Sequence, residues 1–158
     1  MSLQREDWGP KFWFILHTLA ECSGSVSHPI LANDEADNWT ILLKIQAFVM
    51  PCALCKQHYL TWKMNHPLPD LRLVKGSERK SILSLWLWNC HNSVNQQNQK
   101  EIFTQELLQT TYTRQSIKQT LQEIVIMLKN ALERSLLKSE DIKRWKTSFV
   151  HLQMLYGL

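Results

Sequence analysis

Cys52 and Cys55 stand three positions apart in "PCALC", with Pro51 before them and His58 shortly after. Sulfur pairs at that spacing hold a zinc ion, lock a turn as a structural disulfide, or shuttle electrons as a reversible dithiol. The pair by itself leaves all three open. Structural zinc takes four ligands, commonly a second cysteine pair or two histidines. His58, His66 and His91 are available, but no second pair at finger spacing is. A thioredoxin-like use needs a strand–helix–strand setting, and nothing in the chain reads as alternating strands. Pro51 suits an opening helical turn, so the spacing predicts a helix that starts at the cysteines. Unpaired N–H groups and the positive dipole end there stabilise a thiolate. That placement favours reversible dithiol–disulfide exchange, which needs somewhere to send two electrons.

Two helical faces offer walls for an acceptor. Trp13 and His17 lie on adjacent turns of one predicted helix, and Trp88, His91, Asn92 and Asn95 share a face of another. Taken singly, such a Trp fills a core and such a His caps or pairs. Together, on two helices flanking a dithiol, flat rings with directed amide and imidazole groups suit a bound heterocycle. The chain has 7 Trp, a heavy load for 158 residues.

The elements that must position these groups are helices. Only 4 Gly and 5 Pro occur, so turns are few and an all-α fold follows. The first helix is expected from Trp8 to Cys22, with Phe12, Ile15, Leu16 and Leu19 as its apolar stripe. The second follows an Asn33 or Asp34 cap. The third carries both cysteines to about Met64. Ser77 caps a fourth helix, Glu78 to Asn95, and Thr104 opens a short fifth through Tyr112. Beyond it, Ile117, Leu121, Ile124, Leu128 and Ala131 form one amphipathic stripe. Ile142, Trp145, Phe149, Leu152 and Tyr156 form a second, behind a Ser139 cap. The plainer reading of this pair is packing on the main domain; the sharper one is an oligomer or partner interface.

Length fits one domain. The net charge of +4 is spread among interspersed acids and bases, with no basic block of the kind nucleic-acid binders use. The start, "MSLQREDWGPK", lacks a signal peptide's apolar core, and no apolar run approaches a membrane span. Cytosolic or nuclear residence is the expectation.

Three motifs occur in order: "WGPKFWFILH" at 8–17, "PCALC" at 51–55 and "HNSVN" at 91–95. "NHP" at 65–67 and Trp86 fall with them. The set closely resembles the Erv/ALR family of FAD-dependent sulfhydryl oxidases, over about Trp8 to Tyr112. The resemblance implies a four-helix bundle cradling FAD and a short fifth helix; the two C-terminal amphipathic helices read from the spacing lie beyond it. It divides the chain into an oxidase domain, 1–114, and a helical extension, 115–158. It implies that Cys52 and Cys55 form the redox-active disulfide, with Cys55 facing the flavin and Cys52 exchanging with the incoming dithiol. Gly9, Pro10, Trp13 and His17 would contact the cofactor from the first helix. Trp86, His91, Asn92, Val94, Asn95 and Lys100 would do so from the fourth helix and beyond, with Tyr112 at the adenine end. The implied activity is disulfide formation in protein substrates, with electrons passing through FAD to oxygen to give hydrogen peroxide.

The implied partners are protein dithiols or a relay thiol protein, oxygen, and a second copy in a homodimer. The chain looks most like the compact members encoded by large cytoplasmic DNA viruses, which implies the host cytoplasm. It departs from the family in having no second, shuttle pair. Cys22 and Cys90 are lone and read as buried small hydrophobes, with a shuttle role as the alternative. "NQQNQK" keeps only Lys100 of the basic residues usual there. The enzyme-free rival is a helical interaction module whose pair is a zinc clip or an inert disulfide.

Overall fold

The computed structural model describes residues 2–158. Among the described residues there are seven α-helices and no strand: α1 (Arg5–Cys22), α2 (Pro29–Ile45), α3 (Ala53–Asn65), α4 (Gly76–Gln97), α5 (Leu108–Thr111), α6 (Lys118–Glu133) and α7 (Ser139–Tyr156). Short 3-10 turns at Gln46–Val49, Leu71–Leu73 and Gln105–Leu107 join them. None of these helices is long and apolar enough to cross a membrane.

Several helices start earlier than their sequence signals predict, each for a local reason. α1 gains a turn before Pro10 because the Asp7 and Trp8 N–H groups donate to the Gln4 carbonyl. The Trp8 indole, buried, closes that turn by donating to the Leu3 carbonyl at 3.1 Å. α2 begins at Pro29, not after Asn33 or Asp34; its ring supplies the opening φ, and His28 is the N-cap. The apolar side chains of that first turn, Ile30 and Leu31, face outward, so periodicity did not reveal it. Lys75 rather than Ser77 precedes α4, and Lys138 rather than Ser139 precedes α7. The predicted fifth helix is a 3-10 turn followed by one α turn, with Tyr112 as its C-cap.

The chain passes between α1 and α4 by a close backbone approach. Gly24 has φ +76°, and a Cβ there would stand 1.9 Å from the Gly76 carbonyl oxygen. Only glycine meets both demands. This contact holds the start of α4 against the end of α1 and extends α4 one residue ahead of Ser77.

α4, α6 and α7 all pack on α1, and α7 also covers α2. The tail helices therefore complete the core. Trp145 and Phe149 of α7 are fully buried with Ile15 and Leu19 of α1 and Trp39 and Leu42 of α2. The predicted α7 stripe is buried at Trp145, Phe149, Leu152 and Tyr156, and α6 adds Met127 to Ile124, Leu128 and Ala131. Polar groups cross this core in one connected set. Glu35 of α2 pairs with Arg79 of α4 at 2.6 Å, both buried. Glu35 also accepts from the Gly24 N–H at 2.8 Å and the Tyr156 hydroxyl at 2.5 Å, and that hydroxyl accepts from Trp39 Nε1. Arg79 satisfies its other N–H groups on the Leu71, Val74 and Ala32 carbonyls. A buried ion pair survives only when its remaining valences are met in this way.

Candidate active site

Cys52 and Cys55 are disulfide-bonded, with Cα atoms 5.3 Å apart. The structure moves the predicted helix start by two residues: Pro51 lies outside α3, and Cys52 is its N-cap. The Cys52 sulfur accepts the Cys55 N–H at 3.1 Å, doing what a Ser or Asp oxygen usually does. No acidic residue sits in the first turn of α3, so nothing there opposes negative charge on sulfur. Lys56 is held over the Phe48 ring at 4.2 Å.

The two sulfurs have different surroundings. Cys55 lines an apolar cleft walled by Trp8, Phe12, Trp13 and Leu16 of α1, Leu87 of α4, and Met50 and Tyr59. Cys52 is not among the lining residues, and both cysteines are half-buried. A second recess adjoins this cleft, because Arg5, Gly9, Trp13, Val94 and Asn98 line both. It carries Pro10, His91, Asn95, Lys100 and Tyr112, with Glu6 at its rim. The two recesses make one bent groove, apolar and flat-walled at the Cys55 end, with amides and two cations at the other.

Of the predicted contact residues, Gly9, Pro10, Trp13, His91, Val94, Asn95, Lys100 and Tyr112 come together on this groove. His17, Trp86 and Asn92 lie behind it. His91 stacks on Trp13 at 4.3 Å, and buried His17 stacks on Tyr112 at 4.4 Å. His17 Nε2 and His91 Nδ1 are 3.1 Å apart, so one ring donates and the other must accept. Burial lowers His17 to a pKa of about 3, helped by His91; burial lowers His91 to about 4, helped by Lys100. Both are neutral at pH 7. Asn92 pins the segment after α4: its amide donates to the Phe103 carbonyl at 2.8 Å, and its oxygen accepts the Phe103 N–H at 2.9 Å. Trp88 donates to the same carbonyl. The Lys100 N–H donates to the Asn95 carbonyl at 2.9 Å, which turns the segment back toward the groove. Trp86 donates to the His66 carbonyl at 2.7 Å and so ties "NHP" to α4.

Cys22 and Cys90 are free and buried. Burial pushes both thiols up, which suits core packing and opposes exchange. Sequence reasoning missed Gln46. It lines the Cys55 end of the groove, its oxygen accepts Trp145 Nε1 at 2.8 Å, and its Nε2 has no partner among the described residues. An isolated amide at the end of a helix carries no periodic signal that could have singled it out.

A helical bundle with a half-buried CxxC disulfide opening onto a flat-walled groove defines a class of helical dithiol proteins. The comparisons with known proteins narrow the class. The Erv1 / Alr family model matches residues 10–115. An FAD-linked sulfhydryl oxidase of African swine fever virus (isolate Tick/Malawi/Lil 20-1/1983) is 31% identical over 115 residues, 73% of this chain and 87% of that protein. The counterpart in isolate Pig/Kenya/KEN-50/1950 is 26% identical over 121 residues, again 73% and 87%. The 347L protein of Invertebrate iridescent virus 6 is 30% identical over 88 residues, 56% of this chain and 76% of its own length. No solved structure matches. The chain belongs to the Erv1/Alr family.

Proposed function

We propose that this chain is an FAD-linked thiol oxidase that introduces disulfide bonds into protein substrates. The observation that carries the reading is the division of the pair: Cys55 opens onto the groove, while Cys52, bonded to it, stays outside. The groove fits the cofactor on its own chemistry. A planar apolar slot beside Cys55 suits a tricyclic ring, Arg5 and Lys100 suit a diphosphate, and ring faces at Tyr112 and His91 suit an adenine.

Cys52 receives the substrate. A substrate thiolate attacks its sulfur, the Cys52–Cys55 bond breaks, a mixed disulfide forms, and Cys55 leaves as a thiolate. A second substrate thiol displaces Cys52 and departs oxidised. The substrate has then lost two electrons and two protons, and the pair is reduced. Cys55 faces the slot and passes the electrons on as the Cys52–Cys55 bond re-forms. FAD bound there supplies a two-electron acceptor that oxygen re-oxidises, with release of hydrogen peroxide. Gly9, Pro10, Trp13, His91, Val94, Asn95, Lys100 and Tyr112 hold the cofactor. His17, Trp86 and Asn92 hold those residues in place.

Residues 1–114 form the oxidase unit, in line with a family match that ends at 115, and 115–158 are this chain's extension. A homodimer, a separate relay thiol protein in place of the missing shuttle pair, and cytoplasmic residence complete the proposal. The enzyme-free rival, a helical module with a zinc clip or an inert disulfide, is not favoured: the family match and the relatives named FAD-linked sulfhydryl oxidases speak for an enzyme, and the bonded sulfurs leave no free thiols for a zinc clip. Purified chain supplied with a reduced dithiol should consume oxygen and release one hydrogen peroxide per disulfide formed. Cys52→Ser and Cys55→Ser should each fall to background. Full activity in both variants would reject the assignment.

A further inference from the structure

Two buried side-chain polar atoms have no hydrogen-bond partner among the described residues, Thr18 Oγ1 and Gln46 Nε2. Thr18 lies within α1 and off the groove. Gln46 is 1% exposed and shares a groove wall with Cys55. Its neighbour fixes which way the carboxamide faces. An indole N–H donates and never accepts, and Trp145 Nε1 lies 2.8 Å from Gln46 Oε1. The oxygen is therefore committed to α7, which leaves the buried NH2 as the carboxamide's unpartnered donor beside the groove. Trp145 is held in turn. Its ring meets Phe12, another groove residue, edge-on at 5.7 Å and stacks on Phe149 at 5.0 Å. A buried donor kept without a partner is unfavourable, and its persistence beside a redox disulfide points to an acceptor that arrives with a ligand.

We infer that α7 is a working part of the cofactor site: through Trp145 it orients the Gln46 carboxamide so that its N–H donates to a carbonyl oxygen on the pyrimidine side of the flavin ring beside Cys55. The inference rests on the FAD reading above and deepens it. Two-electron reduction places negative charge on that side of the ring, so a fixed donor there stabilises the reduced form more than the oxidised form. The ring becomes a stronger acceptor for electrons arriving through Cys55, and FAD binds more tightly. Trp145 acts only through Gln46 and is a positioning residue. It lies beyond residues 10–115, so the extension, and not the family domain, supplies this support.

The full-length chain tests this with two variants. Gln46→Met keeps the side chain's length and removes the donor. Trp145→Phe keeps a six-membered ring and removes the N–H that fixes the amide, along with the five-membered ring that carries it. In titrations of flavin-free protein, Gln46→Met should bind FAD about tenfold more weakly. The two-electron potential of its bound flavin should also fall by about 30 mV, which is a further tenfold loss of affinity for the reduced form relative to the oxidised form. Trp145→Phe should move both quantities the same way by less, because the freed amide still samples the donating orientation. Variants that lose thermal stability but keep wild-type FAD affinity and potential would make Gln46 a core residue and overturn the inference. If Gln46→Met does not fold, an unchanged potential in Trp145→Phe overturns it. A wild-type chain that takes up no FAD overturns the function reading as well, which is distinct from three proteins that bind FAD equally.

Discussion

Cys52 does two jobs with one sulfur, as half of the disulfide and as the N-cap of α3. Serine is a good cap and alanine a poor one. Under reducing conditions, where no disulfide contributes, Cys52→Ser should therefore be more stable than Cys52→Ala by about 1 kcal/mol, read by denaturant unfolding. The neutral histidines give a second prediction at this scale. His17 and His91 sit at about 3 and 4 in the folded chain, against 6.5 for an ordinary histidine. The unfolded chain binds protons that the folded chain refuses, so stability is fully present above pH 6.5 and lost as pH falls toward about 4. Melting of the flavin-free chain at pH 7 and pH 4.5 should show this drop, and His17→Gln should lessen it. An equal drop in the variant would assign the acid sensitivity elsewhere. At this scale the sequence was informative where residues repeat at helical spacing. The cysteine pair, Trp13 with His17, and His91 with Asn95 could all be singled out. Gln46 could not, because its partner lies 99 positions away. Nor does a motif distinguish a residue that lines the groove from one behind it. Asn92 and His91 are neighbours in one motif, yet Asn92 spends its amide on Phe103 while His91 faces the recess.

Helix existence was legible throughout, and helix starts were not. The apolar stripes of α1, α6 and α7 are strong, and each is buried largely as spaced. The starts of α1, α2 and α4 depend on contacts that no local pattern carries: an indole on a carbonyl, an outward-facing first turn, and a glycine pressed on a glycine. Gly24→Ala forces a Cβ into the Gly76 backbone at a positive φ, so it should lower stability by several kcal/mol or prevent folding. The ion pair between α2 and α4 predicts a similar penalty. Glu35→Ala leaves Arg79 charged and buried without its partner, at a cost of about 3–5 kcal/mol. Tyr156→Phe removes only the hydroxyl between Trp39 and Glu35 and should cost about 1–3 kcal/mol. Denaturant midpoints of the three variants, compared with wild type, check the order. A Glu35→Ala protein as stable as wild type would show that the pair is not the fastening between these helices.

Across the whole molecule, an apolar bundle shelters one face of a disulfide and leaves the other to incoming protein. The tail belongs to that arrangement, since Trp145, Phe149 and Leu152 fill the space between α1 and α2. Ending the chain at residue 114 should uncover this face and yield an aggregating or poorly cooperative protein, seen by light scattering and thermal melts. The central claim is that electrons enter at Cys52 and leave through Cys55 into a flavin. Anaerobic titration of the purified chain with dithiothreitol, followed by visible absorbance, tests it most directly. Wild type should be yellow, bleach on reduction and recover its colour in air, whereas Cys55→Ser should keep its flavin and resist bleaching. A colourless wild-type chain, or a Cys55→Ser protein that bleaches as fast as wild type, would contradict it.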